Sequence, residues 1–362
     1  MTFSICIPNY NYAQFLGATI ESVLDQHHAD LELHISDNAS TDSSVAVVES
    51  FDDPRLSLSV NRCNVGFAAN LDRAVAGTTG DWIILLSSDD LMAPTALSVY
   101  RETIDCLGNS DSTIISATCQ VIDAEGDPVG ILGPPTWCWQ KEDVDRELSR
   151  AIGHIAYRLT PEQVLERSLR QMRNPLWFAS TCYPRSLYDA VEGYRGQHLI
   201  APDKEFHWRL VSAADSVVFI DSPLFSYRVH SSNQSAQQAR TGALKFLVDQ
   251  YTLSFNTDQQ VRSTGNTTSD ELARSFVRED IAKRAIVALV TGDRVLARRT
   301  IAFGMATYPK LMASDPLVLL ARGLVAGRFV TSTILRRFEA RVRSRMLTQS
   351  MLVKEGNPGV PS

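Results

Sequence analysis

Two adjacent carboxylates, Asp89 and Asp90, follow an apolar run at positions 82–86 and a pair of serines at positions 87–88. An apolar run of this length is typical of a buried strand, so the carboxylates are expected at its carboxyl end. In open α/β sheets that end faces the ligand crevice. Adjacent carboxylates there suit a hard divalent cation shared with the phosphates of a substrate. The pair therefore predicts metal-assisted chemistry on a phosphate-containing ligand.

Polar residues also follow the first two predicted strands. Pro8 and Tyr10 end the first, and Asp37 and Asn38 end the second. Consecutive parallel strands put their following loops on one edge of the sheet, so both loops should face the same crevice as Asp89. Tyr10 offers a ring for base stacking, and Asp37 or Asn38 can accept from a base N–H or a ribose hydroxyl. No glycine-rich fingerprint follows the first strand, which disfavours dinucleotide and Walker-type phosphate sites.

The elements that must position these residues can be read from the hydrophobic pattern. Short β-rich apolar runs alternate with amphipathic stretches of helical period over the first hundred residues, which is typical of a mostly parallel sheet covered by helices. The pattern predicts strands at 3–8, 31–36, 56–60, 81–86, 113–117, 178–183, 217–220 and 224–227. It predicts helices at 13–26, 43–50, 66–76, 94–107 and 203–213. Residues 123–161 read as a less regular insertion, and the chain beyond residue 235 reads as helical to about residue 351.

Composition limits the class of protein. The chain has 362 residues, of which 44% are hydrophobic and 21% charged, as in ordinary globular proteins. A net charge of −6 argues against general nucleic-acid binding. The 6 cysteines are scattered without the paired spacing of a zinc site or a disulfide framework. No signal peptide or membrane-spanning apolar run is present in the sequence, so a cytoplasmic location is predicted.

One segment departs from the overall acidity. Residues 317–347 contain seven arginines and one acid, Glu339, among many apolar residues. A basic amphipathic helix can lie in an anionic membrane interface, which predicts peripheral contact with the inner face of the cytoplasmic membrane. A C-terminal helix packed on the catalytic domain, with its basic face in water, explains the same pattern equally well.

The order of motifs resembles that of the family 2 glycosyltransferases, which have the GT-A fold. The resemblance covers about residues 2–235. It lies in the segments Ile5-Cys6-Ile7-Pro8-Asn9-Tyr10-Asn11, Ser36-Asp37-Asn38-Ala39-Ser40-Thr41-Asp42, Asn64-Val65-Gly66 with Asn70, Gly80-Asp81-Trp82-Ile83, Ser87-Ser88-Asp89-Asp90, Pro202-Asp203-Lys204-Glu205 with Arg209, and Tyr227-Arg228-Val229-His230-Ser231-Ser232. Each piece is weak, but the ordered set is specific.

The resemblance implies a Rossmann-like, mostly parallel sheet flanked by helices, in a glycosyltransferase domain over residues 1–235. Residues 1–120 would bind the nucleotide sugar, residues 121–235 would bind the acceptor, and residues 236–362 would form a helical C-terminal extension. The implied activity is a hexosyltransferase-type transfer with inversion, from a nucleotide-diphosphate sugar to a hydroxyl of a carbohydrate or lipid-linked sugar. Surface polysaccharide or glycolipid assembly is the implied setting.

The resemblance also assigns site residues by position. Pro8, Tyr10, Asp37, Asn38 and Asp89 would bind the nucleotide. Asp89, Asp90 and His230 would hold Mn²⁺ or Mg²⁺, and Asp203 would be the general base. Two positions depart from the family pattern: Ser87 replaces the first acid of Asp-x-Asp, and Pro202 replaces the Glu that often precedes the base.

Simpler interpretations of these residues remain open at this stage. Asp89 and Asp90 could cap the following helix, Asp37 could form an Asx turn, Asp203 could be an N-cap, and His230 could be an ordinary surface histidine. Two other functions also remain. One is a non-catalytic nucleotide-sugar-binding or membrane-docked assembly protein, and the other is a sugar-phosphate nucleotidyltransferase, which normally has a glycine-rich loop after its first strand.

Overall fold

The structure is a computed structural model that describes residues 1–28, 30–108, 112–195, 199, 202–231, 233 and 243–327. Its described residues divide into two compact units. The first contains residues 1–167 and 174–228, and the second contains residues 168–173 and the described part of 229–362. The predicted domain boundary after residue 235 lies close to the end of the first unit.

A single sheet organises the first unit. Within the described residues it has the strands β1 (Phe3–Asn9), β2 (Leu31–Asp37), β3 (Leu56–Val60), β4 (Trp82–Leu85), β5 (Leu91–Met92), β6 (Thr113–Ile122), β7 (Pro128–Leu132), β8 (Ile155–Leu159), β9 (Cys182–Pro184) and β10 (Ser216–Arg228). The strand order is β3-β2-β1-β4-β9-β6-β10-β5, with β7 beside β6 and β8 beside β10. The first four strands pair in parallel, as do β6 and β10, whereas β5, β7, β8 and β9 pair antiparallel.

Helices connect and cover these strands. Those of the first unit are α1 (Ala13–Leu24), α2 (Ser44–Glu49), α3 (Phe67–Ala76), α4 (Ala96–Cys106), α5 (Arg146–Ala151), α6 (Pro161–Gln171, which ends in the second unit), α7 (Arg185–Ala190) and α8 (Pro202–Ala213). Apolar residues of α1 and α4 bury against β1, β2 and β4 in one core that includes Phe3, Leu16 and Tyr100. The predicted α/β class with a central sheet flanked by helices is confirmed.

The described part of the second unit is helical, as predicted for the chain beyond residue 235. It contains α9 (Ala243–Asn256), α10 (Gln259–Thr264), α11 (Ser269–Phe276), α12 (Arg284–Val290), α13 (Arg294–Thr307), α14 (Pro309–Ser314) and α15 (Pro316–Val325), with a π-helical turn at Val277–Lys283. Residues 328–351 of the predicted helical region, and most of the basic segment 317–347, lie outside the described residues. Over the part of the chain that the structure describes, each helix is too short or too polar to cross a bilayer.

Three sequence predictions need correction. Residues 123–161 are more regular than expected, because β7 and β8 extend the sheet and α5 lies between them. The two strands predicted at 217–220 and 224–227 are one strand, β10, whose register shifts around Pro223, a residue without an N–H to donate to the ladder. The strand predicted at 178–183 begins as a 3₁₀ turn, and only Cys182–Pro184 pairs with the sheet.

Candidate active site

The parallel register of β1, β2 and β4 brings the predicted site loops to one edge of the sheet. Asn9 at the end of β1 is the register partner of Asp37 at the end of β2. Cys6 in β1 pairs with Leu85 in β4, and the N–H of Leu86 donates to the carbonyl of Cys6 at 3.0 Å. The loops that follow the three strands therefore begin side by side, as the sequence predicted.

Asp37 is buried and accepts hydrogen bonds through both carboxylate oxygens. Oδ2 accepts from the Asn9 amide at 2.8 Å, and Oδ1 accepts from the backbone N–H of Ser40 at 2.8 Å. The second bond closes the local turn that Asp forms readily after a strand. Asp37 thus joins the β1 and β2 loops, and its contact with nucleotide stays a prediction.

A group of four asparagines, here called the asparagine wall and consisting of Asn38, Asn61, Asn64 and Asn70, extends from Asp37. Asn38 and Asn70 are buried, Asn61 is half-buried and Asn64 is exposed. The Asn38 amide donates to Asn64 at 3.0 Å, and its Oδ1 accepts from the N–H of Val65 at 2.9 Å. The wall fixes the loop that leads into α3, where Gly66 has φ +87, a conformation that favours glycine.

Asn70 anchors the wall to β2. Its Oδ1 accepts from the Ser36 hydroxyl at 2.9 Å and from Asn61 at 2.8 Å, while its NH₂ group donates to the Ser36 carbonyl at 2.9 Å. The side chain is 2% exposed, so little of it remains for ligand. The carboxamides of Asn38 and Asn70 hold the loops of this edge in place, and contact of Asn38 with nucleotide stays a prediction.

Pro8 and Tyr10 differ in what they present to solvent. Pro8 is buried within β1, where it is the register partner of Ser36. Tyr10 is 42% exposed in the loop that follows, next to Asn11, which has φ +59 and whose side-chain oxygen accepts from the N–H of Thr41 at 2.7 Å. The loop is tied down while the Tyr10 ring remains accessible, which is the arrangement that stacking on a base requires.

The carboxylates of Asp89 and Asp90 are buried between β4 and β5. Asp89 is 6% exposed and Asp90 is 1% exposed. Oδ1 of Asp90 accepts from the backbone N–H of Arg228 at 2.9 Å, and its Oδ2 is buried without a hydrogen-bond partner. Burial and the charge of Asp89 raise the pKa of Asp90 well above the usual range of a carboxyl group. Helix capping does not explain the pair, because α4 begins after Thr95.

Arg228, the last residue of β10, holds the acidic pair in place. Its Nε donates to the carbonyl of Asp89 at 2.9 Å, and its Nη1 donates to the carbonyls of Asp123 and Ala124, both at 3.1 Å. The guanidinium also lies over the ring of Phe15 at 5.1 Å. Arg228 is 5% exposed, so it brings a positive charge and four donated bonds into a nearly dry region.

The acidic pair fits a divalent cation that is shared with a substrate. A buried carboxylate oxygen without a partner is costly, and a cation would satisfy it and offset the repulsion between Asp89 and Asp90. Among the described residues, His, Cys, Asp and Glu do not gather in groups of three that could hold a metal. One or two carboxylates completed by substrate phosphates and water are the usual surroundings of Mg²⁺ in phosphate-binding sites.

Asp203 is the second residue of α8 and is half-buried. Its Oδ2 accepts from the Asn174 amide at 3.0 Å, and the same amide nitrogen lies 2.9 Å from Nδ1 of His207. His207 is buried one helical turn after Asp203, and burial lowers its pKa to about 4, although the negative charge of Asp203 opposes the shift. The imidazole is therefore neutral near pH 7.

Two further residues of the Asp203 motif, Glu205 and Arg209, have structural partners. The Arg209 guanidinium donates to both carboxylate oxygens of Glu205, at 2.6 and 2.8 Å. It also donates to the carbonyls of Val191 and, at 2.8 Å, of Gly193. Arg209 thus fixes α8 to the turn after α7, and Glu205 orients Arg209.

His230 lies in the second unit and is half-buried. Its backbone N–H donates to the side-chain oxygen of Asn233. These contacts fix the backbone of a turn and leave the role of the imidazole open to test. A metal or diphosphate role for His230 stays a prediction.

The sequence analysis gave no role to Arg228, Asn174 or His207. Arg228 stood inside a quoted motif, but its partners are more than a hundred residues away, so no local signal could reveal them. Asn174 is 29 residues from Asp203 and 33 residues from His207, so no helix or turn spacing reveals these contacts. His207 did carry a signal, since its spacing of four from Asp203 places both on one face of α8.

Comparison with known proteins indicates the family of the N-terminal part of the chain and the fold. Residues 4–114 match the profile described as glycosyl transferase family 2. A β-1,3-glucosyltransferase of Escherichia coli, named as acting on UDP-Glc and α-D-GlcNAc-diphosphoundecaprenol, is 34% identical over 96 residues. That alignment covers 26% of this chain and 38% of the relative, well under two thirds of the relative's length.

Two solved structures share the fold. TarS 1–349 of S. aureus, in complex with UDP-GlcNAc, matches with a TM-score of 0.62 and 16% identity over 95% of this chain and 92% of that one. A mannosyltransferase of Pyrobaculum calidifontis, in complex with GDP-Man and Mn²⁺, matches with a TM-score of 0.51 and 15% identity over 97% of this chain and 84% of that one. Residues 4–114 therefore form part of a family 2 glycosyltransferase domain, and the described residues have the GT-A fold of the two solved structures.

Proposed function

We propose that this protein transfers a sugar from a nucleotide-diphosphate sugar to an acceptor hydroxyl, with inversion, in the assembly of a surface polysaccharide or glycolipid. The main support is the buried Asp89–Asp90 pair, whose unpartnered oxygen lies at the same sheet edge as the Tyr10 and Asp37 loops. The named activity of the E. coli relative supports a lipid-linked acceptor. The solved relatives bind UDP-GlcNAc and GDP-Man, which supports a nucleotide-sugar donor.

The acidic pair, the loops at its sheet edge and Arg228 have specific roles in this proposal. Asp89 and Asp90 hold Mn²⁺ or Mg²⁺, and Tyr10 stacks on the base beside Asp37. When bound, the cation supplies Lewis-acid neutralisation of the negative charge that develops on the departing diphosphate. Arg228 keeps the backbone of the acidic pair in position through its bond to the Asp89 carbonyl.

Asp203 is the proposed general base. A sugar hydroxyl is a weak nucleophile, so a carboxylate within hydrogen-bond reach must accept its proton as the oxygen attacks the anomeric carbon. The bond from that carbon to the diphosphate oxygen breaks on the opposite face, and the nucleoside diphosphate leaves. Attack opposite the leaving group inverts the anomeric centre. The half-exposure of Asp203 allows it to meet an acceptor.

The donor can be found with a thermal-shift screen of UDP-, GDP- and dTDP-sugars, each with and without Mn²⁺. The activity test then measures release of nucleoside diphosphate and formation of glycoside from the best donor, with a panel of octyl glycosides as acceptors. We expect product only with donor, acceptor and cation together. Donor binding without turnover across the panel would instead favour a non-catalytic nucleotide-sugar-binding protein.

Asp203→Asn is the variant that tests the base. It keeps the size and polarity of the side chain but cannot accept the proton, so transfer should fall by about 10³-fold while nucleotide affinity stays unchanged. Asp105→Asn, which removes an exposed carboxylate that pairs with Arg101 on α4, is the control and should transfer normally. Turnover of Asp203→Asn at the wild-type rate would reject Asp203 as the base.

A further inference from the structure

Asn174 lies between a carboxylate and an imidazole that sequence motifs do not connect. It follows the end of α6, whereas Asp203 and His207 lie on adjacent turns of α8. The Asn174 amide nitrogen is 3.0 Å from Oδ2 of Asp203 and 2.9 Å from Nδ1 of His207, and Asn174 Oδ1 is 3.1 Å from the same Nδ1. One short side chain therefore joins the proposed base to a buried histidine.

The chemistry of the partners orients the amide. An ionised carboxylate only accepts hydrogen bonds, so the atom that faces Asp203 is the NH₂ group of Asn174. Its second hydrogen then points to Nδ1 of His207, which accepts if the imidazole is neutral and protonated on Nε2. Oδ1 of Asn174 also accepts from the N–H of Leu176 at 3.3 Å. The nitrogen and the oxygen of the Asn174 amide therefore both have hydrogen-bond partners.

We propose that Asn174 and His207 are positioning residues for Asp203: His207 fixes the Asn174 amide, and Asn174 holds Oδ2 of Asp203 so that Oδ1 faces the acceptor hydroxyl. His207 is 1% exposed and lies against Phe206 in a cluster of aromatic rings, so its ring has little freedom to turn. This inference depends on the proposed function, because it assigns how the base of that reaction is oriented.

Burial keeps the histidine in the form that this arrangement needs. A protonated imidazole would donate from Nδ1 to Oδ1 of Asn174, 3.1 Å away, and could not accept from the Asn174 NH₂ group, whereas the neutral ring can accept. Because the lowered pKa of His207 is about 4, the neutral form dominates at the pH at which transfer would be measured. The motif thus differs from a charge relay, since the imidazole carries no proton to or from Asp203.

The first test is a comparison of kcat and KM for the donor in Asn174→Ala. Loss of orientation should lower kcat by about 10- to 100-fold, in line with the effect of small misplacements of reacting groups, while KM for the donor changes less than twofold. Thr113→Val is the structural control. It removes the buried hydrogen bond between the hydroxyls of Thr113, the first residue of β6, and Ser216. It should lower the melting temperature without changing kcat.

A matched pair at His207 adds a test that does not depend on the fold of Asn174→Ala. His207→Gln can place a side-chain oxygen to accept from Asn174 and should keep kcat within about threefold of wild type. His207→Leu removes the acceptor and should lower kcat about tenfold. Equal kcat values for the two variants would overturn the proposed role of His207.

The double variant Asp203→Asn/Asn174→Ala shows whether Asn174 acts through the base. Residues that act as a unit are not additive, so the double variant should transfer no more slowly than Asp203→Asn alone. A further tenfold loss, or a wild-type kcat in Asn174→Ala, would overturn the inference while leaving the proposed function intact. Wild-type turnover by Asp203→Asn would overturn the choice of base and this inference with it, and absence of transfer by the wild-type protein would overturn the proposed function.

Discussion

The asparagine wall follows β2 and β3, and the acidic pair follows β4 of the same sheet, yet the polar atoms of the two groups differ in their hydrogen bonding. Asn38 and Asn70 use their amide nitrogens and oxygens in bonds to protein groups. Asp90 keeps one buried oxygen without a partner, and its neighbour Asp89 adds like charge. Buried polar groups are normally paired, so an exception needs an explanation. This difference supports the proposal that the acidic pair binds a ligand and that the wall is structural support.

Among the variants that test this comparison, the largest effect is expected from Asp89→Asn, which removes one carboxylate of the acidic pair without loosening its surroundings. The backbone carbonyl that Arg228 holds is unchanged by this substitution, so the fold should persist. Removing one of two carboxylates from a shared-cation site should lower transfer by about 10²- to 10³-fold, since several kcal/mol of charge stabilisation are lost. Steady-state kinetics over a Mn²⁺ series, with Asp105→Asn as control, measures the change. Wild-type kinetics for Asp89→Asn would show that the pair is only structural.

Asn70→Ala tests whether the asparagine wall is structural support. The variant loses three hydrogen bonds and leaves the buried Ser36 hydroxyl and carbonyl without their partner, which should lower the free energy of unfolding by about 3 kcal/mol. Urea denaturation measures this loss. The control is Asn256→Ala at the exposed end of α9, where we expect a change below about 0.5 kcal/mol. A stable Asn70→Ala protein that had lost only nucleotide affinity would place Asn70 in the ligand site instead.

The pH dependence of stability extends the comparison to His207, a buried group that titrates. Below pH 6.5 the unfolded chain binds a proton at this residue, whereas the folded protein does so only near pH 4. The protein should therefore lose about 2 kcal/mol of stability through His207 as the pH falls from 7 to 5. Burial also lowers the pKa of His34 and His28, so the measurement is the difference between wild type and His207→Gln. Identical pH profiles would contradict a neutral, buried His207.

The smallest effect, and the one that distinguishes a ligand site from a structural one most simply, is expected for Asp90→Asn. Because burial raises the pKa of Asp90, the folded protein holds its proton more tightly than the unfolded chain, and stability falls as the pH rises above the usual carboxyl range. Removing the charge should raise metal-free stability at pH 7 by about 1 kcal/mol. Mn²⁺ with nucleotide should then stabilise the variant less than wild type. Lower metal-free stability would contradict this account.

The sequence predicted the parts of the molecule that depend on local pattern. Alternation of apolar runs located β1, β2 and β4, and the parallel arrangement of those strands was enough to expect Tyr10, Asp37 and Asp89 on one edge. Residues 123–161 were harder to interpret, because their strands and helix are five or six residues long and interrupted by turn formers. A single short element of this kind has no clear period.

The features that the sequence did not predict depend on contacts between residues that are far apart in the chain. The hydrogen-bond partner of Asp90 Oδ1 is the N–H of Arg228, which is 138 residues away. Oδ2 is left without a partner. The position of Asp203 relative to Asn174 depends on a contact between residues 29 positions apart, and no spacing in the sequence encodes it. The residue types of the site could therefore be predicted from the sequence, whereas the groups that orient them required the structure.

Isothermal titration of UDP and GDP, each with and without Mn²⁺, against wild type and Asp89→Asn tests the central claim most directly. The account predicts that Mn²⁺ tightens binding of at least one nucleotide to wild type by tenfold or more, and that Asp89→Asn removes most of this gain. Equal affinities with and without Mn²⁺ in the wild-type protein would contradict a cation held by the acidic pair.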